Sequence, residues 1–293
     1  MHPMFSVKSV LFLVGFALAF CTNVRGQQDS TITINDLAGQ THPDTAAMLK
    51  WTVNLPDALF FTSDRLLQTY VVTTSQELIK YNADGAEQFR YNNRRLGPLK
   101  LVDASNAFNI LLYYPDYQTA ITLDRTLNKT GEWNLLSFGF LNVPIVATAA
   151  DNQLWLYDGV EQRLKKIGPD GVLLKQSDNL LQLLGFSLQP TCLVDQGNFI
   201  FLSDPARGIL VFDAQGQYHA AIPLEGVNTF QPGHTSDWIY YTQAGALWRY
   251  EQNLRSPVRL FVPEPPHPEA QYRLHPHNLF LFNGGVLKLY QHK

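Results

Sequence analysis

The stretch Gly208–Tyr218, GILVFDAQGQY, combines an apolar run, an acid, a turn ending in glycine and an aromatic residue. Closely related phrases occur as ELIKYNADGAEQF from Glu77, RLKKIGPDGVLL from Arg163 and ALWRYEQNLRSP from Ala246. Glycine readily takes the positive φ of a tight hairpin, so each phrase predicts two antiparallel strands joined by a short turn. The recurrence of the phrase predicts a repeat architecture.

The repeat has a period of about 40 residues. Six segments share an apolar run, a short break and a second run that ends near an aromatic residue; they begin at Thr69, Asn109, Gln153, Phe199, Trp238 and Leu279. This spacing is typical of a four-stranded propeller blade and exceeds the period of the shorter helical solenoids. The first runs are continuously apolar, as in strands covered on both faces. The cations at Lys80, Lys166 and Arg249 predict that the second runs lie nearer the rim, with one solvated face.

The two ends of the repeat region complement each other. A further strand precedes each hairpin and ends near an acid, at Asp64, Asp103, Asp151, Asp195 and Asp237. The sixth repeat stops at Lys293 without an outermost strand, while residues 48–55, MLKWTVNL, form a strand-like segment without a partner. We therefore expect an all-β fold, a six-bladed β-propeller over residues 48–293 that is closed by an N-terminal strand completing the last blade. Closure removes the exposed sheet edges of an open array.

The segment RGILVFDAQGQY resembles the repeat of the NHL class of six-bladed propellers, and residues 48–293 can be read in the register of that repeat, with other loop lengths outside the Phe199 repeat. The resemblance implies the propeller fold, and it implies binding as the commonest use of such a ring. One fold hosts many activities, so function has to be argued from a site.

The N-terminus predicts export. Lys8 precedes the apolar run Val10–Phe20, which is too short to span a bilayer, and small or modest residues stand before a cleavage point at Gln27. We expect a signal peptide over residues 1–26, a polar lead over residues 27–47, and a location in the periplasm or cell envelope. The alternative is a lipid anchor at Cys21, which is disfavoured because the bulky Phe20 precedes it.

The composition of the mature chain limits its partners. Without Lys8 and Arg25 it has 20 basic and 25 acidic residues. A mild negative charge predicts no nucleic-acid partner. No other apolar run reaches transmembrane length, and we expect a monomer without a cofactor. Cys192, the one cysteine after residue 26, lies in an apolar run and is interpreted as a structural thiol on an innermost strand.

Two residue sets could bind a metal. The acid series could place a ring of carboxylates around the channel for Ca²⁺, although aspartate is also favoured as a cap in such turns. His267, His275 and His277 could bind Zn²⁺, but five prolines in that segment favour a solvated loop. The turn and loop roles are preferred, and no metal ligand is assigned. No catalytic residue is assigned either, because hydrolase and nucleotide-binding motifs are missing.

The least uniform segments are the connections between blades, and they supply the candidate binding residues. Tyr91, Arg94 and Arg95 would suit an anionic or carbohydrate ligand, with a solvated basic turn as the alternative. Four aromatic residues could be presented to a protein partner, with packing between blades as the alternative: Trp133, Phe138, Phe140 and Phe186.

Two functions follow from this pattern. The first is a non-enzymatic binding or scaffold module of the bacterial cell envelope, with a protein, small-molecule or carbohydrate partner. The second is a metal-dependent lactonase-like hydrolase or lyase at the channel mouth. The first is preferred because the innermost strands are mostly apolar or hydroxylic and carry few of the acids and histidines that an enzyme of this kind needs.

Overall fold

The computed structural model describes the short strand Thr31–Ile32 and residues 47–233 and 237–291. Two strands precede the first blade: β1 (Thr31–Ile32) and β2 (Met48–Asn54). Blade 1 contains β3 (Ala58–Ser63), β4 (Thr69–Thr73), β5 (Glu77–Tyr81) and β6 (Glu87–Asn92). Blade 2 contains β7 (Leu101–Asp103), β8 (Ile110–Tyr114), β9 (Thr119–Leu123) and β10 (Lys129–Asn134). Blade 3 contains β11 (Val146–Thr148), β12 (Leu154–Asp158), β13 (Arg163–Ile167) and β14 (Leu173–Gln176).

The second half repeats the arrangement. Blade 4 contains β15 (Cys192–Asp195), β16 (Phe199–Asp204), β17 (Gly208–Asp213) and β18 (Tyr218–Ile222). Blade 5 contains β19 (Phe230–Pro232), β20 (Trp238–Gln243), β21 (Ala246–Glu251) and β22 (Ser256–Leu260). Blade 6 contains β23 (Gln271–His275), β24 (Asn278–Asn283) and β25 (Val286–Gln291), with β2 as its outermost strand. The all-β, six-bladed prediction is confirmed.

The ring closes as expected, because β2 pairs antiparallel with β25. Trp51 lies opposite Leu289 and Val53 opposite Leu287, so the N-terminal strand supplies the fourth strand that the last repeat lacks. The pairing covers the outer edge of β25, which would otherwise expose a row of unpaired backbone groups.

Two elements were not predicted from the sequence. Within the polar lead, β1 pairs in parallel with β22 and adds a fifth strand to blade 5. A short helix, α1 (Leu180–Leu184), lies in the connection from blade 3 to blade 4, where the Asn179 side chain accepts a hydrogen bond from the Gln182 N–H and caps its first turn. No helix of the described residues has the length and apolarity needed to cross a membrane.

The ring has two distinct faces. The first face carries the turns between the first and second strands of each blade and between its third and fourth strands. The second face carries the turns between second and third strands, together with the connections between blades. Apolar clusters fill the space between neighbouring blades, so the core consists of layers between sheets rather than one central mass.

The recurring glycine turns serve the contact between blades as well as the hairpin. Gly85, Gly171 and Gly216 have φ values of +79°, +79° and +82°, in the region that favours glycine. Each also lies under an aromatic ring from the preceding blade: Trp51 over Gly85, Phe138 over Gly171 and Trp155 over Gly216. The glycine of each repeat therefore has two roles. It allows the positive φ of the turn, and its missing side chain leaves room for the aromatic ring of the preceding blade.

Side-chain donors reinforce the same contact. Four of them reach carbonyls in the outer turn of the next blade: Trp51 Nε1 to Ala83 O, Lys80 Nζ to Arg125 O, Trp133 Nε1 to Gly168 O and Lys175 Nζ to Ala214 O. In that order, these hydrogen bonds join blade 6 to blade 1, blade 1 to blade 2, blade 2 to blade 3, and blade 3 to blade 4.

The prediction of a solvated face for the third strands is wrong. Lys80, Lys166 and Arg249 are all buried. An aromatic ring of the neighbouring strand covers each cation: Tyr70 lies 5.4 Å from Lys80 Nζ, Trp155 lies 5.6 Å from Lys166 Nζ and Trp238 lies 4.6 Å from Arg249 Cζ. Such rings attract cations through their negative faces, so these side chains belong to the packing between strands.

Candidate functional site

The acid series lies at the first-face ends of the innermost strands, and Asp64 shows its role there. Its Oδ1 accepts hydrogen bonds from the N–H groups of Leu66 (2.8 Å) and Gln68 (3.0 Å). Its Oδ2 accepts from the Tyr70 hydroxyl at 2.9 Å. Burial, together with this carboxylate, raises the pKa of Tyr70 far above its ordinary value. Asp64 is therefore engaged in capping its own turn.

Two other acids join blades. Asp103 Oδ2 accepts a hydrogen bond from the Thr148 N–H at 2.8 Å, from blade 2 to blade 3. Asp195 Oδ2 accepts from the Ala150 N–H at 3.0 Å and from Trp155 Nε1 at 2.9 Å, from blade 4 to blade 3. Carboxylates from both neighbours thus hold the innermost strand of blade 3 in place.

An open pocket of about 300 Å³ lies on the first face, where the innermost strands of blades 1 to 4 end. Its polar lining includes Arg65, Ser105, Asn106, Thr148, Asn152 and Asp195. These side chains come from four blades, so the ring itself brings them together.

The lining offers several groups for recognition. Arg65 is exposed and forms no ion pair with a carboxylate of the described residues. The Thr148 hydroxyl is buried and has no hydrogen-bond partner there. Asn106 Nδ2 donates to Asn152 Oδ1 at 2.8 Å and so joins the turns of blades 2 and 3. The pocket therefore combines one cation, an unpaired hydroxyl, a fixed pair of amides and the hydrogen-bonded Asp195 carboxylate.

Apart from Asp195, the sequence analysis did not identify these lining residues, although a signal for them was present. Arg65 follows Asp64 and Asn152 follows Asp151, while Ser105 and Asn106 come just after Asp103. The acids marked the correct turns, where they stabilise the backbone, and Asp195 of that series also lines the pocket.

The basic candidates lie elsewhere. Tyr91 is half-buried on β6 and packs against the cluster between blades 1 and 2. Arg94 and Arg95 are exposed in the connection from blade 1 to blade 2. That connection belongs to the second face, so the structure does not bring these three residues to the pocket.

The four aromatic candidates contact neighbouring blades. Trp133 and Phe140 are buried between blades 2 and 3, and Phe138 is half-buried over Gly171. Phe186 is half-buried, with the Arg207 guanidinium 4.1 Å from its ring centroid. These positions correspond to packing between blades. Leucines are the exposed apolar residues of the same connections: Leu136, Leu141, Leu181 and Leu183.

The late histidines are divided between the two faces. His267 lies in the connection from blade 5 to blade 6, where its Nδ1 accepts the Glu269 N–H at 3.3 Å. His275 ends β23 on the first face, with its Nε2 2.8 Å from Ser63 Oγ of blade 1 and its ring edge-on to Phe280. His277 is exposed in the turn that follows. Among the described residues, no three His, Cys, Asp or Glu side chains group into a metal site.

The similarity of this chain to known proteins is a similarity of fold. The sequence matches no protein-family model and no curated protein. Among solved structures, a streptogramin B lyase has a TM-score of 0.58 at 10% identity, covering 85% of this chain and 98% of that one. The Cps50 (Swd1) β-propeller domain of Myceliophteria thermophila has a TM-score of 0.58 at 10% identity, covering 84% and 99%. The Neurospora crassa Pan2 WD40 domain has a TM-score of 0.54 at 9% identity, covering 86% and 97%. At these identities the likeness shows a β-propeller fold, shared by a lyase and by WD40 proteins.

Proposed function

We propose that the protein is an exported, non-enzymatic binding module of the bacterial cell envelope, and that its ligand occupies the pocket on the first face. Two groups that line this pocket carry the proposal: the Thr148 hydroxyl, which has no hydrogen-bond partner among the described residues, and the Arg65 guanidinium, which forms no ion pair there. A concave site with a few convergent polar groups is the usual form of a small-molecule site.

The lining indicates a polar ligand with hydroxyl groups and one acidic group, such as an acidic sugar. A guanidinium binds a carboxylate through charge-assisted hydrogen bonds. Thr148 can donate to or accept from a ligand hydroxyl. Asn106 and Asn152 line the same pocket, where Asn106 Oδ1 already accepts the Phe108 N–H at 3.0 Å.

The state of the carboxylates favours binding over hydrolysis or lysis. Asp195 accepts hydrogen bonds from three N–H donors, those of Gly197, Ala150 and the Trp155 indole. Asp103 accepts from the N–H groups of Ser105 and Thr148. A general base must be free to accept a proton from the substrate, whereas these two carboxylates are occupied in holding the ring.

The experiment is a ligand screen followed by matched variants. Neutral and acidic mono- and disaccharides are screened by thermal shift, and hits are titrated by calorimetry. We expect Arg65→Gln to weaken binding of an acidic hit at least tenfold, since it removes a charge-assisted contact worth about 1.5–3 kcal/mol. Arg94→Gln removes the same charge on the opposite face and should leave affinity unchanged. Equal weakening of binding by both variants would refute the proposal that the ligand binds in this pocket.

Export is tested separately. N-terminal sequencing of the protein recovered from the cell envelope should find a start at or near Gln27. A start at an acylated Cys21 would instead establish a lipid anchor.

A further inference from the structure

Arg273 lies on a strand that lines the centre of the ring. It occupies the middle of β23, the innermost strand of blade 6. Its charge acts on the thiol of Cys192, the first residue of β15, which is the innermost strand of blade 4. The whole of blade 5 separates these two strands around the ring, so the two side chains can interact only across the central channel.

Within the part of the chain that the structure describes, the Arg273 guanidinium has no counter-charge. Its Nη1 donates to the Tyr272 carbonyl at 2.9 Å, and it forms no ion pair with any carboxylate of the described residues. Burial lowers the pKa of Arg273, and burial also raises the pKa of the Cys192 thiol to about 11. The thiol is therefore neutral at pH 7 and leaves the cation unbalanced. Asp103, whose charge also acts on this thiol, already accepts two backbone hydrogen bonds.

An unbalanced cation in an enclosed place is costly, and proteins normally pair it. The buried nitrogen and oxygen atoms that lack a partner include none from Arg273. Arg273 is only half-buried, so an anion in the channel can reach its guanidinium.

We propose that Arg273 holds a small carboxylate anion inside the central channel. The planar guanidinium matches a carboxylate with two parallel hydrogen bonds, and a single cation balances one negative charge rather than the two of phosphate. The site uses blades 4 and 6 in the interior of the channel, whereas the first-face pocket uses Arg65 and blades 1 to 4. The proposal of an anion in the channel and the proposal of a ligand in the first-face pocket can therefore be tested independently.

The first test is thermal unfolding at constant ionic strength, with sodium acetate replacing sodium fluoride. Acetate should raise the unfolding midpoint of the wild-type chain by about 3 °C or more in a saturable way. Arg273→Met should lose this response, and in fluoride it should be at least as stable as wild type, because it removes an unpaired charge. Arg94→Met, at an exposed arginine, should behave as wild type. An acetate response that persists in Arg273→Met, or a marked loss of its stability in fluoride, would overturn the proposal.

A second test leaves Arg273 in place. In a Cys21→Ser background, labelling of native Cys192 by the neutral reagent methyl methanethiosulfonate is timed in acetate, phosphate and fluoride. Acetate should slow labelling several-fold relative to the other two anions. Protection by phosphate equal to that by acetate, or protection by neither, would overturn the carboxylate site.

Discussion

Lys165 and Asp158 form an ion pair inside blade 3, with side chains that are only 6% exposed and an Nζ–Oδ2 distance of 2.8 Å. Asp158 Oδ1 also accepts the N–H groups of Val160 and Glu161. We expect Lys165→Met to lower the free energy of unfolding by about 3 kcal/mol, because it leaves a buried carboxylate without its cation. Urea unfolding measures the change.

The same experiment includes two controls. Adding Asp158→Asn to Lys165→Met should restore part of the loss, since it removes the stranded charge. Lys129→Met, which breaks an exposed pair with Glu132, should cost less than about 1 kcal/mol. A Lys165 effect as small as that of Lys129 would show that the pair contributes nothing.

Cys192 gives a pH-dependent prediction. Burial raises the pKa of its thiol to about 11 from an ordinary value of 9.0, so the folded chain holds this proton more tightly than the unfolded chain does. The resulting stability is complete below pH 9 and is lost as the pH rises through 11. In a Cys21→Ser background, native Cys192 should label slowly at pH 8. Cys192→Ala should lose less stability than its parent between pH 9 and 11, and parallel pH curves would contradict this assignment.

The sequence predicted turn positions better than it predicted exposed residues. An acid before a tight turn has a local reason to be there, which made Asp64 and its equivalents recognisable. Whether Phe138 or Leu136 faces solvent depends on the angle at which a connection meets the next blade, and composition does not encode that angle. The convergence of Arg65 and Thr148 on one pocket likewise depends on the geometry of the closed ring.

At the scale of elements, the glycine turns are the features that sequence and structure share most closely. Gly171 has a φ of +79°, and a β-carbon there would fall inside contact distance of the Phe138 ring. We expect Gly171→Ala to destabilise the chain by about 2–4 kcal/mol, from backbone strain of about 1 kcal/mol plus overpacking of about 1–3 kcal/mol. Chemical unfolding of purified variants measures it.

Gly197 is the matched control, because its φ is +81° and, its chain neighbours aside, no atom of the described residues lies within 4 Å of its β-carbon position. Gly197→Ala should therefore cost only the backbone term, about 1 kcal/mol. Equal costs at the two glycines would show that the space under Phe138 does not matter.

The elements that escaped prediction are short and locally determined. The five residues of α1 form one turn of helix that depends on the Asn179 cap and on a left-handed Gly185, within a connection whose leucines have no helical period of useful length. The strand β1 has only two residues and is defined by its partner β22, so its own sequence carries almost no signal.

At the scale of the whole molecule, the period of about 40 residues and the unpaired N-terminal segment were enough to predict the closed ring. Function was not predictable in the same way, since lyases and WD40 proteins share the architecture. The strand pattern recurs in every repeat and therefore predicts the fold. The pocket is formed only once, by turns whose sequences differ between blades, so no recurring pattern predicts it.

Closure by β2 leads to a prediction about the entire ring. Removing residues 1–46 deletes β1 but keeps β2, so the chain should remain soluble, with an unfolding midpoint within a few degrees of the parent. Removing residues 1–55 also deletes β2 and leaves the outer edge of β25 unpaired, with Phe280 and Leu289 losing the cover of Trp51 and Val53. An exposed apolar edge recruits strands from other chains, so this variant should aggregate. Soluble yield and sedimentation velocity compare the two deletions, and a monomeric, cooperatively folded variant without residues 1–55 would show that the ring does not depend on its N-terminal strand.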